Sequence, residues 1–228
     1  MNHSVTRRII DNALREGRKT LSEYESKQVL DDFGIPVTRE VLVEERGVVA
    51  SAAGGIGYPL VMKVCSSEIA HKTERGLIHV DIRSEEEALR AFDAIRAGLD
   101  GQAGAVLIQE MVRGRRELVM GLTRDDQFGP CVMFGLGGIF TEILRDVSFR
   151  RAPLEQGDAL DMLREIRGHK ILNAVRGMQA ADTDKLAHML IQVGQIGVEV
   201  PEVVEIDLNP VILAGSRPIV VDALILLK

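Results

Sequence analysis

A mixed protein of strands and helices, α+β or α/β, is what the sequence predicts, on three observations. Near the C-terminus, apolar and polar residues alternate through Glu205-Ile206-Asp207-Leu208-Asn209-Pro210-Val211, the period of a half-buried strand. Ser84-Glu85-Glu86-Glu87 opens a stretch to Gly98 with a cap residue and then acids at the positive end of a helix. Short apolar runs and helix-like stretches then mix along the chain, separated by glycine-bearing loops.

The elements follow in order. Ser4 caps a first helix to about Glu16, stopped by Gly17, and Ser22 with Glu25 fits a capping box for a second helix ending at Phe33-Gly34. A strand is expected from Ile35 to Val43, then a short helix near Val48–Ala53 ending in Gly54-Gly55-Ile56-Gly57. Strands are expected at 59–64, 77–82, 105–111, 117–123, 130–134 and 147–150, and helices at 84–98, 154–166 and 182–198. The acidic strand ends at the turn signal Asn209-Pro210, and a second apolar strand, Pro218 to Leu227, returns carrying Asp222.

Composition narrows the function. The chain has 228 residues, enough for one large domain or two small lobes. A formal net charge of −6 with no Lys/Arg run argues against nucleic acid as the main partner. Cys65 and Cys131 lie in apolar strand-like segments and read as buried free thiols of a reducing compartment. The N-terminus lacks a signal-peptide apolar core and no apolar run reaches membrane-spanning length, so the expected location is cytoplasmic.

Five places carry candidate chemistry. Glu205, Asp207 and Asn209 share one strand face, and hard oxygen donors of this kind suit Mg²⁺; a solvated acidic edge is the competing reading. Lys63 closes the apolar run Pro59-Leu60-Val61-Met62 and presents either a phosphate-binding ammonium or an ordinary strand-end lysine. His71 and Lys72 sit in the polar loop Cys65–Gly76, where a histidine serves as a phosphoryl acceptor or as a plain hydrogen-bonded residue. Gln109-Glu110-Met111-Val112 leaves a strand whose backbone could pair with a planar base, with Glu117 on the next strand in reach of ribose hydroxyls. Gly135-Leu136-Gly137-Gly138-Ile139-Phe140-Thr141-Glu142 lets backbone approach phosphates, yet it is neither a P-loop nor a dinucleotide fingerprint. Just downstream, Arg150-Arg151 offers guanidinium forks to a phosphate or to Asp146.

These pieces occur in one order from about residue 20 to 228. That order resembles the ATP-grasp beta subunit of the ADP-forming acetyl-CoA and acyl-CoA synthetases, related to the succinyl-CoA synthetase beta chain. Ser66–Gly76 with its His71-Lys72-Thr73 core, the Gly135–Glu142 run and Glu205–Val211 carry the resemblance. It implies an α+β ATP-grasp fold of two lobes with nucleotide between them, residues 22–108 forming one lobe and 1–21 with 109–228 the other. By position it implies that Lys63 and Glu142 lie at the phosphates, with Gly137 and Gly138 also cofactor-binding. Glu110 and Val112 would sit at the adenine hinge, Glu117 at the ribose, and Asn209 and Asp222 on Mg²⁺. His71 would relay a phosphoryl group to Mg-ADP, while a partner alpha subunit binds CoA. One departure stands out: Gly76-Leu77 occupies the place of the family's usual Gly-Gly. Two other readings compete, an ATP-binding regulatory module and a direct carboxylate–amine ligase; only the phosphoryl relay needs His71.

Overall fold

The computed structural model describes residues 3–66, 76–100, 104–138 and 146–228. In chain order the described elements are α1 (Ser4–Arg15), α2 (Glu23–Asp32), β1 (Glu40–Val43), α3 (Val49–Ile56), β2 (Leu60–Cys65), β3 (Ile78–Ile82), α4 (Glu85–Gly98), β4 (Ala105–Glu110), β5 (Glu117–Asp125), β6 (Gly129–Leu136) and β7 (Val147–Arg151). There follow α5 (Gln156–Glu165), α6 (Thr183–Glu199), β8 (Val203–Ala214), β9 (Arg217–Val220) and β10 (Ala223–Leu227). None of the described helices is long and apolar enough to cross a membrane.

The chain divides into two compact units. The smaller comprises Ser22–Tyr24 and Thr38–Met111; the larger comprises Met1–Leu21, Glu25–Val37 and Val112–Lys228. These bounds differ from 22–108 mainly at Glu25–Val37. Val29, Leu30, Phe33 and Ile35 belong to the same apolar core as Ile9, Ile10 and Ala13 of α1, so that stretch groups with the larger unit.

In the smaller unit an antiparallel sheet runs β1-β4-β2-β3. Strand alternation sends Leu60, Met62 and Val64 into a core with Val49, Ala53, Ala88, Phe92 and Ile95 of α3 and α4. Ser84 caps α4 by accepting from the Glu87 amide at 3.2 Å, as its sequence predicts. The glycines 54 and 55, expected to end a short helix, lie inside α3, which runs on until Ile56 is buried.

In the larger unit the sheet runs β10-β8-β5-β6-β7, with β9 pairing β8 beyond β10. One face, including Leu118, Met120, Leu122, Val132, Phe134, Ile206 and Leu208, shares a core with α5 and α6. Three expectations are corrected here. The strand expected from 35 to 43 is split: Val37 makes a parallel bridge to Val220, while 40–43 pairs with β4. The strand expected from 218 to 227 breaks at Val221-Asp222, so that β9 and β10 serve different stretches of β8. Finally, α1 is capped by His3 and not Ser4, with no side-chain cap bond; the Thr6 amide and hydroxyl donate instead to Asp32, at 3.0 and 2.7 Å. Cys65 is buried as expected, but Cys131 is only half-buried; both are free thiols.

Arg116 shows how this unit holds its long connection between α5 and α6. The side chain is 3% exposed and donates to the carbonyls of Ile171, Asn173, Gln179 and Gly215 at 2.7–3.4 Å. Truncation strands several buried acceptors at once. Arg116→Ala is expected to lower stability by about 3 kcal/mol in urea unfolding; a loss under about 0.5 kcal/mol would show that water replaces the guanidinium freely.

Candidate active site

Lys63 lies on the face of β2 opposite the core, because strand alternation gives Met62 and Val64 to α3 and α4. Its ammonium is 2.5 Å from Glu23 Oε1, and the two side chains are 4% and 2% exposed. Sequence reasoning did not single out Glu23. The signal was available: extending the inward stripe of α2 back from Leu30 lands on Lys27, Ser26 and Glu23, and all three are buried. A charged residue on a core-facing helical stripe needs a partner.

Glu110 ends β4 with its carboxylate committed to Arg39, accepting from the backbone amide at 2.9 Å and the guanidinium at 3.1 Å. Any base contact here therefore falls to the backbone of the 110–112 stretch. His71 and Lys72 lie outside the described residues. At the family departure, Gly76 takes φ +67° and Leu77 is fully buried in the core of this unit, so the leucine anchors the start of β3.

In the larger unit, β8 does not turn at Asn209-Pro210 but continues to Ala214. The sequence expectation of a turn is corrected by a bulge. Leu118 pairs with Val211 and Met120 with Leu208, so Val119 alone faces both Asn209 and Pro210. On the other side of β8, Val220 pairs with Val211 and Ala223 with Leu208, so Val221-Asp222 also faces Asn209-Pro210. The Val221 amide donates to the Pro210 carbonyl at 3.0 Å, and Asp222 Oδ1 accepts from the Ala223 amide at 2.9 Å. Asn209 and Asp222 are thereby brought together across one strand gap.

Asp207 sits on the same outward face of β8. Burial raises its carboxyl above the ordinary aspartate value, and the charges of Glu205 and Asp222 raise it further. Among the described residues no three His, Cys, Asp or Glu side chains converge as a metal-holding group. The donor set nevertheless fits a hydrated divalent cation: carboxylates that destabilise one another, beside a carboxamide, all with hard oxygen donors.

Glu117 opens β5, and Gly137 and Gly138 lie against it. The Gly137 amide donates to the Glu117 carbonyl at 2.8 Å. Gly138 has φ +62°, and a Cβ there would stand 2.8 Å from Glu117 Oε2; at Gly137 it would stand 2.8–2.9 Å from the backbone of Glu117 and Leu118. Both positions thus require glycine, and they leave backbone bare beside a carboxylate. Val112 is half-buried just before this strand, and Glu142 lies outside the described residues. The Arg150-Arg151 expectation is corrected: Arg150 pairs with Glu165, and Asp146 accepts from the amides of Arg167 and Gly168 at 2.8 and 2.7 Å. Asp146 therefore braces the turn after α5.

An ATP-grasp domain model matches residues 12–227. Over 97% of both chains, this one is 42% identical to the beta subunit of acetate–CoA ligase [ADP-forming] I from Pyrococcus furiosus, and 39% identical to the beta subunit of acetate–CoA ligase [ADP-forming] II from the same organism. Among solved structures, acetyl-coenzyme A synthetase 1 of Candidatus Korarchaeum cryptofilum superimposes with a TM-score of 0.93 at 41% identity, covering 98% of this chain and 100% of that one. That complex holds coenzyme A and Ca-AMPCP; another holds Mg-AMPPCP, with the phosphohistidine segment pointing towards the nucleotide binding site. The chain belongs to the ATP-grasp family, on the branch of the ADP-forming acetate–CoA ligase beta subunits.

The raised Asp207 carboxyl gives a stability test. The folded state keeps its proton to a higher pH than the unfolded chain, so without metal stability falls as pH rises through that window. Asp207→Asn is expected to raise the melting temperature at neutral pH in chelator-treated buffer. The gain should disappear below the ordinary carboxylate range; a loss at neutral pH would contradict the assignment.

Proposed function

We propose that this chain is the nucleotide-binding beta subunit of an ADP-forming acyl-CoA synthetase, catalysing acyl-CoA + ADP + phosphate ⇌ carboxylic acid + CoA + ATP together with an alpha subunit that binds CoA. The observation that carries the reading is the end-to-end match, over 97% of each chain, to beta subunits of ADP-forming acetate–CoA ligases. The two buried or half-buried free thiols suit a reducing cytoplasm.

Each residue then has work to do. Lys63 presents a fixed positive charge to phosphate oxygens. Gly137 and Gly138 leave room for phosphate or ribose beside Glu117, and Glu117 accepts from ribose hydroxyls. Glu110 and Val112 hold adenine through backbone groups, since the Glu110 carboxylate is engaged by Arg39. Asn209 and Asp222 ligate Mg²⁺, which when bound neutralises charge at the transferring phosphoryl group. Glu142 is assigned to the phosphates from the resemblance of its motif alone. His71 accepts the phosphoryl group on a ring nitrogen and releases it to ADP, splitting one transfer into two.

The test mixes this chain with its CoA-binding partner, ATP labelled in the γ-phosphate, Mg²⁺, acetate and CoA. Acid-labile, base-stable label is expected on this chain and is expected to vanish in His71→Ala. Label that survives the substitution would remove His71 from the relay; no label despite nucleotide binding would favour a direct ligase or a regulatory module. In the assembled enzyme Asp222→Ala is expected to lower Mg-dependent turnover at least about 100-fold; full activity would refute the metal assignment.

A further inference from the structure

We propose that Glu23 is a positioning residue for nucleotide binding: it holds the Lys63 ammonium charged and in place on the outer face of β2 before phosphate arrives. The inference deepens the proposed function and rests on Lys63 serving as the phosphate-binding lysine.

The geometry makes the pair more than a surface contact. A 2.5 Å separation with both side chains under 5% exposed leaves little water to solvate either charge. A lysine taken out of water without a counter-charge loses its proton readily, and a neutral amine holds phosphate poorly. Glu23 supplies that counter-charge from the first turn of α2, a different element from the strand that carries Lys63. The ammonium is therefore fixed from two sides, by the strand backbone and by the helix.

The cross-strand neighbours of Lys63 are Ile78 on β3 and Leu107 on β4, both apolar. By register, Glu40 of β1 pairs with Gln109 and so shares the face, as does Cys65, two residues along β2. Asp81 of β3 is held by Arg83.

The pair also sets what nucleotide binding must do. With Glu23 present, Lys63 is charged before and after phosphate arrives, so binding needs no proton from solvent. With glutamine in its place, the buried amine is neutral in the free protein and picks up a proton when phosphate brings negative charge. A residue that only stabilised the fold would not produce this linkage.

The experiment uses the full chain with ¹³C-labelled lysine, Lys63 being assigned through Lys63→Arg. In the wild type the Lys63 Cε resonance is expected to keep its charged position through neutral pH. In Glu23→Gln it is expected to titrate at or below neutrality, and in Glu23→Asp, whose shorter side chain loosens the contact, at a pH between those of the wild type and Glu23→Gln. Calorimetric titration with Mg-ADP in two buffers of different ionisation enthalpy is expected to give buffer-independent heats for the wild type. Glu23→Gln is expected to bind about tenfold or more weakly and to take up about one proton. A Glu23→Gln protein whose Lys63 stays charged and whose Mg-ADP binding matches the wild type would overturn the proposal. Should Glu23→Gln fail to fold, Glu23→Asp decides: a downward-shifted Lys63 titration supports the pairing and an unchanged one overturns it. A wild type that binds no Mg-ADP would defeat the proposed function, and the Lys63 titration would still judge Glu23.

Discussion

A proline inside a central strand cannot donate to either ladder, and the arrangement around β8 follows from that constraint. Pro210 lies midway along β8, with β5 on one side and β9 and β10 on the other. The sheet meets it with irregularity on both flanks. On the β5 side one residue faces two, and on the other side the partner strand breaks at Val221-Asp222. Those two irregularities set the Val221-Asp222 stretch opposite Asn209-Pro210. The metal site proposed for Asn209 and Asp222 rests on this backbone arrangement, since hard oxygen donors on a sheet suit a small hydrated cation.

Buried charge is handled in two ways in this protein. Arg116 is surrounded by backbone carbonyls, which suits a guanidinium whose fork of donors ties an irregular connection together. Lys63 is matched by a carboxylate, which suits a compact charge that must stay ready for another anion. The first arrangement engages both terminal guanidinium nitrogens with carbonyls and serves the fold. The second sets an ammonium against a buried carboxylate 2.5 Å away.

Much of this was legible in the sequence. The alternation in Glu205–Asn209 and the Ser84 cap each appear where expected, since each is a local signal with a local cause. What sequence reading missed was tertiary. Gly54 and Gly55 stay helical because Ala53 and Ile56 bury on either side of them. Asn209-Pro210 has the composition of a turn, but pairing on both flanks of β8 carries the strand through it. Glu23 was hidden beside Ser22 and Glu25, whose spacing suggests a cap and drew attention to the helix end and away from its buried face. The His71 loop and Glu142 lie outside the described residues, so for them the sequence remains the guide.

The central claim is that the bulge in β8 builds the cation site beside a bound nucleotide. The most direct measurement is a crystal structure of this chain with Mn²⁺ and ADP, with anomalous scattering used to place the metal. The account requires a manganese peak within coordination distance of Asn209 and Asp222, with the nucleotide phosphates on its open side. Bound ADP with its manganese held elsewhere, or coordinated by neither residue, would contradict it.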